Sequence, residues 1–304
     1  MTDLVQNRLG LGMATVMREP NAGRRERLLD AAYEQGFRYF DVAPIYGFGT
    51  AEAEIGKLVG RGATDLQVAT KFGRDVTQAG SMIRRLQQPA RWVARAVPGV
   101  RHAFRQTSGG VRSTDAPALD EFRANLDLSL AALRLDSVET YLSHEIEWSD
   151  EWTALWEQLR ATDLPIKSIG ISGSHSLLQS YPSTVVDGSP VMQLPLTDAH
   201  LDVQADVLYA AVSTLRTRFG ALSADRAAVL DRWNLRSDTD DYAVTGLLVA
   251  AAIRRYPQAR VLVGTTSVSH LAAFTREVPI WSESTSVDWR TVEADLFDVA
   301  GAIA

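Results

Sequence analysis

The sequence predicts a (β/α)8 barrel, a closed parallel sheet surrounded by helices, in one domain spanning residues 1–304. Three observations carry that expectation. Short β-branched or aromatic runs recur along most of the chain, segments with helical apolar spacing separate them, and the runs number eight. Such alternation builds parallel sheets with crossover helices. A length of 304 residues is ordinary for a barrel of this kind.

In chain order, Leu9–Val16 reads as the first strand, followed by a helix over Ala22–Gln35 with Gly36 as its stop signal. Arg38–Val42 is the second strand and Ala51–Val59 the second helix. Leu66–Thr70 is the third strand, and Leu119–Leu133 has the spacing of an amphipathic helix. Val138–Leu142, Ile166–Ile171, Val191–Leu196 and Val207–Val212 supply strands four to seven, with a helix over Glu151–Arg160. A helical stretch through Tyr242–Arg255 leads to the eighth strand, Arg260–Val263. No stretch has the composition of an interdomain linker.

Residues 76–114 break the alternation. They hold no acidic residue and seven arginines: Arg84, Arg85, Arg91, Arg95, Arg101, Arg105 and Arg112. The fold class therefore includes a long basic insertion after the third strand. It is either a solvated surface excursion or a lid that draws in anions.

Composition narrows the function classes. The net charge of −6 argues against nucleic acid as a partner. The absence of cysteine excludes disulfides and thiolate metal sites. The stretch MTDLVQNRLGLGMATV lacks a positively charged region followed by a long apolar one, so a signal peptide is not expected there, and the longest apolar run, VTGLLVAAAI, is too short to span a bilayer. The expectation is a cytoplasmic protein acting on a small molecule, with no membrane or nucleic-acid partner and an open oligomeric state. The five histidines lack metal-ligand spacing, and His144-Glu145-Ile146-Glu147-Trp148 misses HExxH at its last position, so no metal is expected. A Rossmann fingerprint and a phosphate-binding GxxxxGK are also missing.

Four residues near predicted strand ends carry the chemistry: Asp41 and Tyr46 in FDVAPIYG, Lys71 in QVATKFG and His144 in VETYLSHE. Active sites of parallel barrels sit at the C-terminal strand ends. A free phenol, with a pKa near ~10, is a poor acid toward a carbonyl oxygen at neutral pH. A neighbouring ammonium lowers that pKa toward the range where acid–base catalysis is efficient. Lys71 would supply the cation, Asp41 would fix it, and His144 would orient the carbonyl. No side chain is a hydride source, so a nicotinamide cofactor is implied. Taken singly, each residue has an ordinary structural explanation: a cap, a turn, a solvated lysine or a core histidine. Only their joint placement is specific.

That placement resembles the aldo-keto reductase family. GFRYFDVAPIYGFGTAEAEIG is similar to the family signature. Further similarity runs through ATK at Lys71, SLAALRLDSVETYLSHE at His144, IKSIGIS at Ser172 and VLVGTTSVSHL near the eighth strand. The resemblance implies a barrel that binds NADP(H) or NAD(H) without a Rossmann domain, with Tyr46 as general acid/base. It further implies that Ser172 and Gln193 hold the carboxamide and that Ser213 and Leu215 meet the pyrophosphate. Gly264, Thr265, Thr266 and Ser267 would wrap the adenosine phosphate, and Gly12 and His270 complete the cofactor set.

The sequence departs from the family at several of these positions. Gly173 replaces an Asn, Val212 a stacking Tyr, and His270 the Arg that commonly reads the 2′-phosphate. Ala273 and Phe274 replace the Glu and Asn at the adenine. Glu145 and Trp148, in place of Trp-Pro after His144, are expected to border a polar, possibly sugar-like substrate, as in the sugar-dehydrogenase branch. Two functions remain open: an NAD(P)(H)-dependent oxidoreductase interconverting a carbonyl and an alcohol, or a cofactor-binding regulatory protein of the same fold with little turnover.

Overall fold

The computed structural model describes residues 2–75, 111–112, 116–198, 204–223 and 225–298. Eight parallel strands form a closed barrel: β1 Leu9–Gly12, β2 Tyr39–Asp41, β3 Gln67–Phe72, β4 Val138–His144, β5 Ile166–Ser172, β6 Val191–Pro195, β7 Val207–Tyr209 and β8 Arg260–Val263. The order around the ring is β1-β8-β7-β6-β5-β4-β3-β2. The principal helices are α1 Thr2–Arg8, α2 Ala22–Glu34, α3 Ala51–Gly60, α4 Leu119–Leu133, α5 Asp150–Ala161, α6 Ala211–Leu222, α7 Asp241–Arg255 and α8 Val268–Glu283. The chain divides into two compact units, Asp41–Val191 and the remainder on either side of it.

Within the Asp41–Val191 unit, β3, β4 and β5 pair in parallel register, Lys71 opposite Leu142 and His144 opposite Ser172. Phe72, Phe122, Tyr141 and Trp152 interlock beside these strands, with ring centroids 4.9–6.1 Å apart. Helix α3 lies against α4 at a closeness only glycine permits. A Cβ on Gly56 would stand 2.1 Å from the carbonyl oxygen of Ala132.

In the other unit β1 pairs with β8, β8 with β7 and β7 with β6, Gln193 lying opposite Val207. Helix α7 buries its central stretch, Val244 and Gly246–Ile253, against its neighbours. Asp240 caps it by accepting from the N–H groups of Tyr242 and Ala243, both at 2.8 Å.

Several boundaries differ from the sequence expectation. The first strand stops at Gly12, because Met13 and Val16 are both fully buried from one short helical turn, Met13–Val16. Spacing of i to i+3 puts two side chains on one face of a helix but on opposite faces of a strand. The seventh strand ends at Tyr209 rather than Val212. Ala210 turns the chain with φ 56°, and α6 begins immediately after it. The sixth ends at Pro195 rather than Leu196, whereas β3 and β4 run on to Phe72 and His144. Helix α1 has no counterpart in the sequence expectation; the Arg8 guanidinium anchors its end on the carbonyls of Tyr256 and Ala259, each at 2.9 Å. Of the basic stretch 76–114, only Val111–Arg112 is described, paired antiparallel with Arg74–Asp75. The remaining arginines, and with them the insertion and lid expectations, lie outside the described residues.

Candidate active site

Asp41 is the last residue of β2 and Lys71 lies one residue from the end of β3; both are buried, Lys71 to 2% exposure. The Lys71 ammonium donates to the Asp41 carboxylate and, at 3.1 Å, to the carbonyl oxygen of Val42. Burial is the first influence on Lys71 and holds its pKa below the ordinary lysine value. The charge and hydrogen bond of Asp41 oppose that effect, with further support from the carboxylates of Glu145 and Glu52.

Tyr46 opens a short helical turn, Tyr46–Phe48, which the sequence YGFG makes possible. Gly47 and Gly49 adopt φ of 58° and 82°, the left-handed region that side chains rarely enter. Thr50 closes the turn by donating its hydroxyl to Gly47 O at 2.7 Å. The Lys71 ammonium stands 5.3 Å from the centre of the Tyr46 ring. His144, the buried last residue of β4, meets the same ring edge-on, with centroids 5.8 Å apart and planes at 88°. Asp41, Tyr46, Lys71 and His144 therefore gather within one unit, at the ends of β2, β3 and β4 or just after them.

Glu145 follows directly, with φ 52° and its N–H bonded to Ser172 O at 2.9 Å. A non-glycine residue in this region is uncommon. Trp148 turns into an aromatic cluster, 4.5 Å from Tyr181 and 5.7 Å from Trp156 by ring centroids, and its Nε1–H donates to Thr153. Glu52 was not singled out from the sequence. It is buried and accepts from the Thr70 hydroxyl at 2.7 Å. Its only sequence signal was an acidic residue on the inward face of a short helix.

The cofactor candidates are distributed over both units. Ser172 is the buried last residue of β5. In the other unit Gln193 is buried within β6 and Gly12 ends β1. Ser213 lies in the first turn of α6, where backbone N–H groups lack helical partners, and its hydroxyl donates to Ala210 O at 2.9 Å. Leu215 is fully buried. Thr265 accepts from the N–H of Ser267 at 3.0 Å, shaping the turn between β8 and α8, and Thr266 is exposed at its tip.

Gly264, Thr265 and His270 line a cavity of about 410 Å³. Arg216, Asp241, Tyr242 and Thr245, which the sequence reading passed over, line it as well. Among the described residues no group of three or more histidines or carboxylates could hold a metal ion. No described helix is long and apolar enough to cross a membrane.

Known proteins provide the context for this arrangement. The sequence pattern of the Aldo/keto reductase family matches residues 8–181, more than half of the chain. Pyridoxal 4-dehydrogenase of Microbacterium luteolum is 35% identical over 79 residues, covering 25% of this chain and 23% of that protein. The uncharacterized oxidoreductase YrpG of Bacillus subtilis (strain 168) is 25% identical over 160 residues, covering 51% and 41%. The chain thus spans only about a quarter to two fifths of the length of the curated relatives it matches. Among solved structures, the holo form of aldo-keto reductase AKR11C1 from Bacillus halodurans matches with a TM-score of 0.63 at 16% identity, over 98% of this chain and 93% of that one. Glycerol dehydrogenase AKR11B4 from Gluconobacter oxydans matches with a TM-score of 0.60 at 15% identity, over 97% and 94%. At such identities the structural likeness speaks for the fold. Together with the sequence pattern over residues 8–181, it leads to one conclusion: the chain belongs to the aldo/keto reductase family.

Proposed function

We propose that this chain is an NAD(P)(H)-dependent oxidoreductase that interconverts a carbonyl and an alcohol on a small polar substrate, with Tyr46 as general acid/base. Aldo-keto reductases use NADP(H) or NAD(H). The observation that carries the reading is the buried Lys71–Asp41 pair, with the ammonium 5.3 Å from the Tyr46 ring and His144 edge-on to it.

Each side chain has a role that follows from this geometry. The carboxylate of Asp41 and the carbonyl of Val42 fix the ammonium in a buried position, where its field is poorly screened. That field favours the phenolate over the phenol, so Tyr46 gives up its proton more readily than a free tyrosine. Proton transfer to the substrate oxygen follows, and the reverse transfer serves alcohol oxidation. His144 provides a nitrogen beside the ring to hold that oxygen. Glu145, next to it in the chain, supplies a carboxylate able to accept from substrate hydroxyls, in keeping with a polyhydroxylated substrate.

The nicotinamide supplies the hydride when bound. In the unit that includes Met192–Ala304, the fit to the nucleotide end is good: the cavity of about 410 Å³ is of ligand scale. It combines apolar walls at Val212, Ala273 and Phe274 with polar groups at Thr265 and His270.

Tyr46→Phe tests the reading. Turnover of aldehydes or polyols should fall by about 10²–10⁴-fold, while the dissociation constant for NADPH or NADH stays near wild type. Near-normal turnover in the variant would remove Tyr46 from this role. Cofactor binding without turnover in the wild type, across aldehydes, quinones and polyols, would favour a regulatory protein instead.

A further inference from the structure

The cavity in the unit that includes Met192–Ala304 contains a cation in an unexpected place. We infer that Arg216, rather than His270, reads a phosphate monoester carried on adenosine, and so sets the preference of this chain for NADP(H) over NAD(H). The inference rests on the proposed use of a nicotinamide cofactor and concerns which residue discriminates its two forms.

Arg216 projects from α6 and lines the cavity with Tyr242, Thr245, His270 and Phe274. Its Nη1–H donates to the Thr245 hydroxyl at 2.7 Å, and that hydroxyl in turn donates to the carbonyl of Asp241 at 2.7 Å. The acceptor holding the guanidinium is neutral, so its positive charge is not cancelled there. A guanidinium has five N–H donors in a planar fork, and one such contact leaves the remainder for a ligand.

The carboxylate in the same cavity, Asp241, lies 3.3 Å from Arg226, which itself donates to Thr239 O. Arg226 offsets that negative charge, which would otherwise repel a phosphate. His270 is placed differently. Its ring sits edge-on to Tyr242, with centroids 5.3 Å apart, and so forms part of the wall. An imidazole is also a weaker cation than a guanidinium and lacks its bidentate geometry. Flat apolar surface from Phe274 and Ala273 beside a clamped guanidinium suits an aromatic base joined to a phosphate.

The test is calorimetric titration of the full chain with NADPH, NADH, adenosine 2′,5′-bisphosphate and AMP. Wild type should bind the two ligands with a 2′-phosphate more tightly than their counterparts, with a margin that narrows as salt rises. Arg216→Gln keeps a group that can reach Thr245 but removes the charge. It should weaken NADPH and the bisphosphate by about 10- to 100-fold, while NADH and AMP change by less than about twofold. Arg216→Lys should restore part of the loss, because the point charge returns without the fork. An unchanged NADPH-to-NADH ratio in Arg216→Gln, or its collapse in His270→Gln instead, would overturn the assignment. A wild type that binds neither nucleotide would overturn the proposed function as well, whereas normal NADH binding with no Arg216 effect sinks only this inference.

Discussion

The two regions proposed to carry this chemistry treat charge in opposite ways. In the Asp41–Val191 unit the ammonium of Lys71 is 2% exposed and bound to a carboxylate that is almost as deeply buried. In the other unit the charges around the cavity are open to water: the Asp241 side chain is 76% exposed and that of its partner Arg226 38%. A buried charge without its partner costs several kcal/mol, so such a pair is kept or lost as a whole. An exposed ion pair is worth about 0–1 kcal/mol, so its members exchange at little cost to folding. The family pattern matches residues 8–181, which include the buried pair, and the residues lining the open cavity all lie beyond it.

The largest effects should come from breaking the buried pair. Lys71→Met leaves Asp41 with no ammonium, and a loss of about 3–5 kcal/mol of stability is expected. Turnover should fall, and the pKa governing the rate should rise as the phenol loses its cation. The pH dependence of folding has a definite sign. Burial places the folded-state pKa of Lys71 below its ordinary 10.5. Between those two values the unfolded chain binds a proton that the folded chain does not. The contribution of Lys71 to stability therefore rises with pH across that window. Denaturant titrations at several alkaline pH values should show the rise in wild type relative to Lys71→Met. Asp41→Asn should lower the Lys71 pKa further, since it removes the main influence that opposes burial. If Lys71→Met unfolds at the wild-type denaturant concentration with an unchanged pH–rate profile, the pair is not the anchor described here.

That contrast also explains what could be read from the sequence. Asp41, Tyr46, Lys71 and His144 were legible because each sits at or just after the end of a β-branched or aromatic run, and strand ends are what a barrel gathers. The turn at Tyr46 was legible only as a Tyr-Gly pair; the structure adds that Gly47 and Gly49 both take a left-handed backbone. Arg216 was not legible. It meets Thr245 from a separate helix, 29 residues away in sequence, and no short spacing encodes a contact between two helix faces. The seventh strand was read three residues too long for a related reason. VLYAAV is as apolar and β-branched as a strand, and nothing in its composition marks the left-handed turn at Ala210.

A smaller effect is expected at Glu145, where the backbone beside His144 accepts a local cost. A left-handed conformation disfavours a residue with a side chain by about 1–2 kcal/mol, and glycine returns part of that through the greater freedom of the unfolded chain. Glu145→Gly should therefore leave the fold as stable as wild type, or more stable by up to about 1 kcal/mol. Its carboxylate also supports the charge on Lys71. The variant should lose affinity for hydroxylated substrates, seen as a raised KM, more than it loses kcat. A destabilised variant would mean that the carboxylate is structural, and the backbone conformation would then be incidental to substrate binding.

The smallest effect lies in the exposed region and sharpens the comparison most. Asp241 stands in the first turn of α7, where a carboxylate is favoured by the helix dipole, but Asp240 already caps that helix with two hydrogen bonds. Asp241→Asn removes an exposed pair with Arg226 and should cost no more than about 1 kcal/mol of stability. It also deletes the one carboxylate among the residues that line the cavity. A phosphate arriving at Arg216 would then meet less repulsion, while Arg226 keeps its bond to Thr239 O. Affinity for NADPH should rise a few-fold at low ionic strength, NADH should respond less, and the gain should fade near ~1 M salt, where the Debye length is about 3 Å. Titration at two ionic strengths, paired with a denaturation curve, measures both halves of the claim. A gain in phosphate affinity with little loss of stability is what an exposed, exchangeable region predicts. A loss of several kcal/mol would mean that Asp241 is as integral to its unit as Asp41 is to the other, and the contrast between the two regions would fail.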